Sequence, residues 1–384
     1  MAALARAKDL RIYVGGKIIV KGLDLVVKSG SMHLIVGRVG SGKSLVLKSL
    51  AGVAQLYGGI EIRGLLEVTG SSPLEAMERG EVVYVPHDPT SMLSVRSLVA
   101  AGSLRREMMA ASEALMECLK IAERSRARLV LVEELSSYLD ERQLPKAMEA
   151  LRRIASRGGA VVIADHSEHP LAKYVDSVTY IDGGVEISKV VVAEPRRSGA
   201  ASIRSLAVSY GSRIVDLSEL DLDVGPGDVV GVAAPNARGK TTLVRALIGS
   251  AKVVRGTARL KGSVYVVPQI PPRLFAYPSI ELEAKALSVD ARALGEPWRS
   301  IAYRNPYTLS LGESRALMMQ LALASPRKWL LVVDELALGL DDDVAKLFCE
   351  AIEDAASLGK SAIVTGKSRS DLRWLRSAEI VELS

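Results

Sequence analysis

Two short stretches constrain this chain most: "GRVGSGKS" at Gly37 to Ser44 and "APNARGKT" at Ala234 to Thr241. Lys43 and Lys240 lie 197 residues apart, and so do Tyr13 and Tyr210. Further on, Glu134 and Glu335 are 201 residues apart, as are Asp140 and Asp341. A period this long marks two copies of a whole domain, not a solenoid of short repeats. The join is expected within "AEPRRSGAAS", Ala193 to Ser202, where proline, glycine and small residues interrupt strand-like patterns. The expected domains are therefore residues 1–194 and 203–384. At 384 residues with 48% hydrophobic content, each copy can bury its own core.

Each copy reads as alternating strands and helices. "MHLIVG" is a short apolar strand before the first loop, and "SLVLKSLAGVAQ" after it has helical spacing at Leu45, Leu47, Leu50 and Val53. "RLVLVEE" and "KWLLVVDE" are apolar runs ending in paired acids, and "AVVIADH" and "SAIVTGK" are apolar runs near each copy's end. This pattern predicts an α/β fold: a mainly parallel sheet flanked by helices in each copy.

The glycine-lysine loops carry a specific chemistry. Small residues let backbone N–H groups wrap phosphates at a helix N-terminus, a lysine reaches the outer phosphates, and a hydroxyl supplies an oxygen to Mg²⁺. Gly37, Arg38, Val39, Gly40, Ser41, Gly42, Lys43 and Ser44 form the first loop. Ala234, Asn236, Arg238, Gly239, Lys240, Thr241 and Thr242 line the second. The acid pairs Glu133-Glu134 and Asp334-Glu335 follow their lysines at similar distances, which assigns the first acid to Mg²⁺ and the second to the attacking water.

With these motifs in order, the chain resembles a tandem pair of ATP-binding cassette ATPase domains. "LSLGESRALMMQLALASPRKWLLVVDE", Leu309 to Glu335, is similar to the family's signature segment running into its acidic strand. The resemblance implies an antiparallel β portion and a small helical arm in each domain, and ATP and Mg²⁺ as ligands. It places Tyr13 and Tyr210 on adenine, His87 and Gln269 at the Q-loop positions near the metal, and His166 as the switch histidine. It also implies head-to-tail pairing of the halves. One composite site would join the first loop, Glu134 and His166 to Ser310, Gly312 and Glu313. The other would join the second loop, Gln269, Asp334 and Glu335 to "MAASE", Met109 to Glu113, which lacks the glycine pair.

The copies therefore differ. Gly366 stands where the second switch histidine belongs, and Ala234 and Ala237 replace small flexible glycines, so any position there that needs positive φ would cost an alanine about 1 kcal/mol. The expectation is hydrolysis at the first site, with Lys43, Glu134 and His166 catalytic, and binding without efficient turnover at the second. Glu133 and His87, in place of the usual aspartate and glutamine, are expected to slow the first.

No apolar run approaches the roughly 18 to 20 residues of a membrane span, and the N-terminus lacks a secretory apolar core. Basic residues are scattered among 44 acidic ones despite a net charge of +6, so no nucleic acid is expected as a partner. Two isolated cysteines give no metal cluster. The expectation is the motor subunit of a transporter, at the inner face of the cell membrane beneath separate transmembrane subunits. Among such motors it looks like those of energy-coupling-factor importers. The rival reading is a ribosome- or nucleic-acid-associated tandem ATPase. From His87 to Glu133 there are 46 residues and from Gln269 to Asp334 there are 65, so the second helical arm is the longer. Phe275 and Tyr277 on it are either packed in the arm or exposed to a partner.

Overall fold

The structure, a computed structural model, describes residues 2–92, 111–184, 186–210, 213–269 and 275–383. The chain divides into two compact units, Met1–Val185 and Glu186–Ser384. The division falls upstream of the expected join because residues 188–196 hydrogen-bond along the second unit. Ser188 pairs with Glu296, Ala193 N–H donates to Leu323 O, and Arg196 N–H donates to Pro326 O. The buried Gln320 amide also pairs with both backbone groups of Val191, at 3.0 and 3.2 Å.

In the first unit, strands β3 (Met32–Val36), β5 (Val82–Val85), β6 (Leu129–Glu133), β7 (Ala160–Asp165) and β8 (Ser177–Tyr180) form a parallel sheet in the order β5-β6-β7-β3-β8. β3, β6 and β7 are buried along their whole length, as apolar runs must be when helices cover both faces of a sheet. A three-stranded antiparallel sheet, β2 (Lys17–Lys28), β1 (Ala3–Val14) and β4 (Ile60–Val68), packs with the helix Lys43–Leu50 in one core that includes Leu10, Leu47, Leu131 and Val162. That helix is shorter than its apolar spacing predicts. It stops before Gly52, whose φ of 77° is left-handed, and Val53 belongs to the following turn.

The second unit repeats the plan. Strands β12 (Val229–Ala233), β14 (Val264–Val267), β15 (Leu330–Val333), β16 (Ser361–Gly366) and β17 (Glu379–Glu382) make a parallel sheet in the order β14-β15-β16-β12-β17. Strands β9 (Ala200–Tyr210), β10 (Arg213–Leu217), β11 (Leu222–Val224) and β13 (Lys252–Lys261) form the antiparallel portion. The helix Leu311–Ala324 is buried on every side. Its C-terminal carbonyls would otherwise lack partners. Lys360, whose burial pushes its ammonium down to about 8, donates to Ala322 O, Ser325 O and Lys328 O.

His33 on β3 is buried between Ser177 Oγ at 2.6 Å and Thr179 Oγ1 at 2.9 Å. Burial lowers its pKa from 6.5 to about 4, so the native imidazole stays neutral while the unfolded one takes a proton below pH 6.5. This stabilisation is complete above pH 6.5 and is lost as pH falls toward 4. Denaturant unfolding is expected to show about 2 kcal/mol less stability at pH 5 than at pH 7 from this group, and His33→Gln should remove that part of the slope.

Candidate functional site

In each unit the sheet order brings three motif-bearing strand ends side by side. β6, β7 and β3 are neighbours, so Glu133-Glu134, His166 and the loop Gly37 to Ser44 leave the same edge of one parallel sheet. β15, β16 and β12 do the same for Asp334-Glu335, Gly366 and the loop Ala234 to Thr241. Ligands of parallel α/β sheets bind outside the carboxyl ends of the strands.

The first loop turns through Gly40 and Gly42, at φ 75° and 97°, into the N-terminus of Lys43–Leu50. Lys43 is buried, its Nζ donating to Gly37 O at 2.6 Å and Arg38 O at 3.0 Å. Ser41 Oγ is buried with no hydrogen-bond partner among the described residues, an orphan that an anionic oxygen would satisfy. Val39 is buried and Arg38 exposed.

Glu134 and His166 meet. His166 Nδ1 lies 3.1 Å from Glu134 Oε2 and 3.0 Å from Asp165 Oδ1. Ser137 Oγ donates to the same Glu134 oxygen at 3.0 Å, and Glu134 sits at φ 52°. Asp165 is itself held by the backbone N–H and hydroxyl of Ser136 at 2.9 and 2.8 Å. Burial opposes charge on His166, but hydrogen bonds and charge from Asp165 and Glu134 prevail and raise its pKa to about 10. The group is an imidazolium clamped between two carboxylates. Asp165 and Ser136 had no motif to announce them, although Asp165 stands directly before His166.

Glu133 and His87, expected on the metal, are paired with each other. Tyr84 OH donates to Glu133 Oε1 at 2.7 Å, and His87 approaches Oε2 through its backbone N–H at 3.2 Å and Nδ1 at 3.3 Å. Burial pushes the carboxyl up, but the hydrogen bond and charge of His87 outweigh it and hold Glu133 at about 2. Ser44, the third expected ligand, makes no hydrogen bond to this carboxylate. Glu133, one methylene longer than aspartate, reaches across to Tyr84 on β5 and to His87.

In the second unit Thr241, Asp334 and Gln269 meet. Thr241 Oγ1 donates to Asp334 Oδ2 at 2.8 Å, and Gln269 Nε2 reaches Thr241 Oγ1 at 3.3 Å. A hydroxyl, a carboxylate and a side-chain amide converge here, an oxygen-rich donor set that fits Mg²⁺. Burial, and then the charge of Glu335, raise Asp334 to about 6. Lys240 donates to Ala234 O at 2.6 Å and Pro235 O at 3.1 Å, and its Nζ lies 3.3 Å from Glu335 Oε1. Thr365, at the register position of Ala164, accepts from Glu335 N–H at 2.8 Å and donates to Asp334 Oδ1 at 3.2 Å. The strand register corrects the expectation for Gly366: it matches Asp165, and Lys367 stands at the place of His166, so the second unit still has no histidine there.

Tyr210 OH lies 3.3 Å from Thr242 Oγ1, at the foot of the second loop's helix. Tyr13 instead carries the Arg63 guanidinium over its ring at 4.9 Å. Ser310 caps Leu311–Ala324 in a reciprocal pair with Glu313, so that Glu313 is spent on the cap, with Gly312 in the first turn. Asn236 is half-buried and Arg238 exposed in the second loop. Met109 and Ala110 of the expected first signature, and Arg273 and Leu274 of the arm, lie outside the described residues. Phe275 is buried edge-on against Tyr307, 6.2 Å between ring centres, and belongs to the arm's core, while Tyr277 is exposed.

Ala237 occupies a left-handed conformation, φ 63°, at the position of Gly40. Ala237→Gly is expected to raise the stability of the second unit by about 1 kcal/mol, read as a higher denaturant midpoint with unchanged slope.

Residues 20–151 match the family model described as "ABC transporter". Ribose import ATP-binding protein RbsA 1 of Rhizobium johnstonii is 23% identical over 319 residues, 67% of this chain and 61% of that protein. Ribose import ATP-binding protein RbsA 3 of Rubrobacter xylanophilus is 26% identical over 321 residues, 68% of this chain and 63% of that protein. The chain thus spans about three fifths of the length of these curated relatives. A solved structure titled "RNase-L Inhibitor" matches with a TM-score of 0.53 at 20% identity, over 97% of this chain and 87% of that one. "Model of ribosome-bound archaeal Pelota and ABCE1" matches with a TM-score of 0.59 at 19% identity, over 96% and 76%. At such identities these structures share the fold. The named relatives are ribose importers, and the expected likeness to energy-coupling-factor importers finds no support. Over residues 20–151 the chain is thus similar to the family described as ABC transporter, and over about two thirds of its length it is similar to ribose import ATP-binding proteins.

Proposed function

We propose that the chain is the ATP-hydrolysing motor of a membrane importer, with one hydrolytic and one holding nucleotide site. The observation that carries the reading is the Glu134–His166 contact at the strand ends, set against Glu335, which lies against Lys240. In the first unit, Lys43 and the loop amides hold the outer phosphates. Glu134 orients the attacking water, and the His166 imidazolium fixes Glu134 and places a positive charge beside the site. In the second unit, Thr241, Asp334 and Gln269 would hold Mg²⁺, which when bound neutralises phosphate charge. Glu335 there is drawn to Lys240 and has no histidine to orient it. In this reading the halves pair head to tail, with Ser310 and Gly312 offering a hydroxyl and a backbone N–H to the nucleotide of the first loop.

No helix among the described residues is long and apolar enough to cross a membrane. The reading supplies separate transmembrane subunits and a place on the inner face of the membrane. The arm of the second unit exposes Tyr277, Tyr303 and Tyr307, aromatic surface suited to a partner helix. The ribose import relatives favour this reading over a ribosome-associated ATPase, for which the fold alone speaks. Tagged protein recovered from its native cells should sediment with membranes and, after detergent, retain a polytopic membrane protein. Sedimentation with ribosomes would overturn it.

A further inference from the structure

Residues 85–89 of the first unit, where β5 leaves the sheet, are fastened from several sides. Both oxygens of the buried Glu133 carboxylate are taken, one by Tyr84 OH at 2.7 Å and the other by the N–H and ring Nδ1 of His87 at 3.2 and 3.3 Å. The hydroxyl of Tyr138 donates to the His87 carbonyl, and Cys118 Sγ donates to the Pro89 carbonyl at 3.2 Å. The same strand ends in the second unit carry a different construction, in which Asp334 and Gln269 both reach the hydroxyl of Thr241 at 2.8 and 3.3 Å. One arrangement gathers oxygens around a point on the phosphate loop. The other spends its carboxylate on the segment leaving β5, and a cation could claim Glu133 only by displacing donors that a fully buried carboxylate needs.

We propose that Glu133 is a clasp for residues 85–89 and not a divalent-cation ligand, whereas its counterpart Asp334 in the second unit offers its carboxylate to the cation that accompanies the nucleotide. The first unit would hold its cation through phosphate oxygens and the loop hydroxyl of Ser44. The proposal rests on reading both loops as nucleotide sites, and its test separates the two.

Mn²⁺ is titrated into the full chain with adenylyl imidodiphosphate and followed by electron paramagnetic resonance, while hydrogen exchange is read at the His87 amide. Asp334→Asn should weaken one bound Mn²⁺ by about tenfold or more. Glu133→Gln should change Mn²⁺ affinity by less than about twofold and speed exchange at His87. Glu133→Asp, too short to keep the clasp, should speed that exchange without tightening Mn²⁺. Tyr84→Phe, which leaves the carboxylate in place, should do the same if the Glu133 variants fold poorly. A tenfold loss of Mn²⁺ in Glu133→Gln, a gain in Glu133→Asp, or unchanged exchange at His87 would overturn the clasp. Failure of the unmodified chain to bind the analogue at either loop would overturn the nucleotide reading instead, leaving the clasp to be judged by exchange alone.

Discussion

Glu134→Gln is expected to lower steady-state ATP hydrolysis by at least about 100-fold while nucleotide binding stays within about twofold, because the amide keeps the shape and loses the charge that orients water. The contact to His166 at 3.1 Å makes this carboxylate the one acid placed with a partner for the task. Glu335→Gln should cost much less. Its carboxylate lies against Lys240 at 3.3 Å, and the neighbouring strand ends in Gly366.

The largest effect on stability is expected at Arg315, a fully buried side chain in the helix Leu311–Ala324. Its guanidinium donates to the carbonyls of Pro268, Asp334 and Glu335, reaching Asp334 O at 3.1 Å from the same nitrogen that bonds Glu335 O. Arg315→Leu strips donors from three carbonyls in the interior, each worth about 1–3 kcal/mol when left unpaired, and should cost about 3–5 kcal/mol in denaturant unfolding. Arg315→Lys should recover only part, because an ammonium cannot reproduce the planar fork. The same variants should weaken nucleotide binding at the second loop, since Pro268 precedes Gln269 and the other two carbonyls belong to the acid pair.

Arg315 shows where the sequence stops being legible. Glycine-lysine loops, apolar strands and acid pairs are local patterns, and each lies in the structure where its period and spacing place it. The meeting of Glu134 with His166 could be anticipated because neighbouring parallel strands bring their ends together. What Arg315 bonds to depends on three segments converging around one helix, and no spacing along the chain records that. The partners of Glu133 were hidden for the same reason. Its position matches a metal ligand, but the donors that claim it come from Tyr84 and His87, some 46 to 49 residues away. Ala237 was legible because the constraint there is backbone geometry, readable from its alignment with Gly40. The early end of the helix after Leu50 was not, since its apolar spacing runs on through Gly52 to Val53.

The central claim is that one loop turns nucleotide over and the other holds it. The direct measurement loads the full chain with radiolabelled ATP and Mg²⁺, removes free nucleotide after a single turnover, quenches in acid and counts ADP and ATP per chain. The account predicts about one ADP formed and one ATP retained, with Glu134→Gln leaving both as ATP and Glu335→Gln leaving the ratio unchanged. Two ADP per chain, or equal loss of hydrolysis in the two variants, would contradict it.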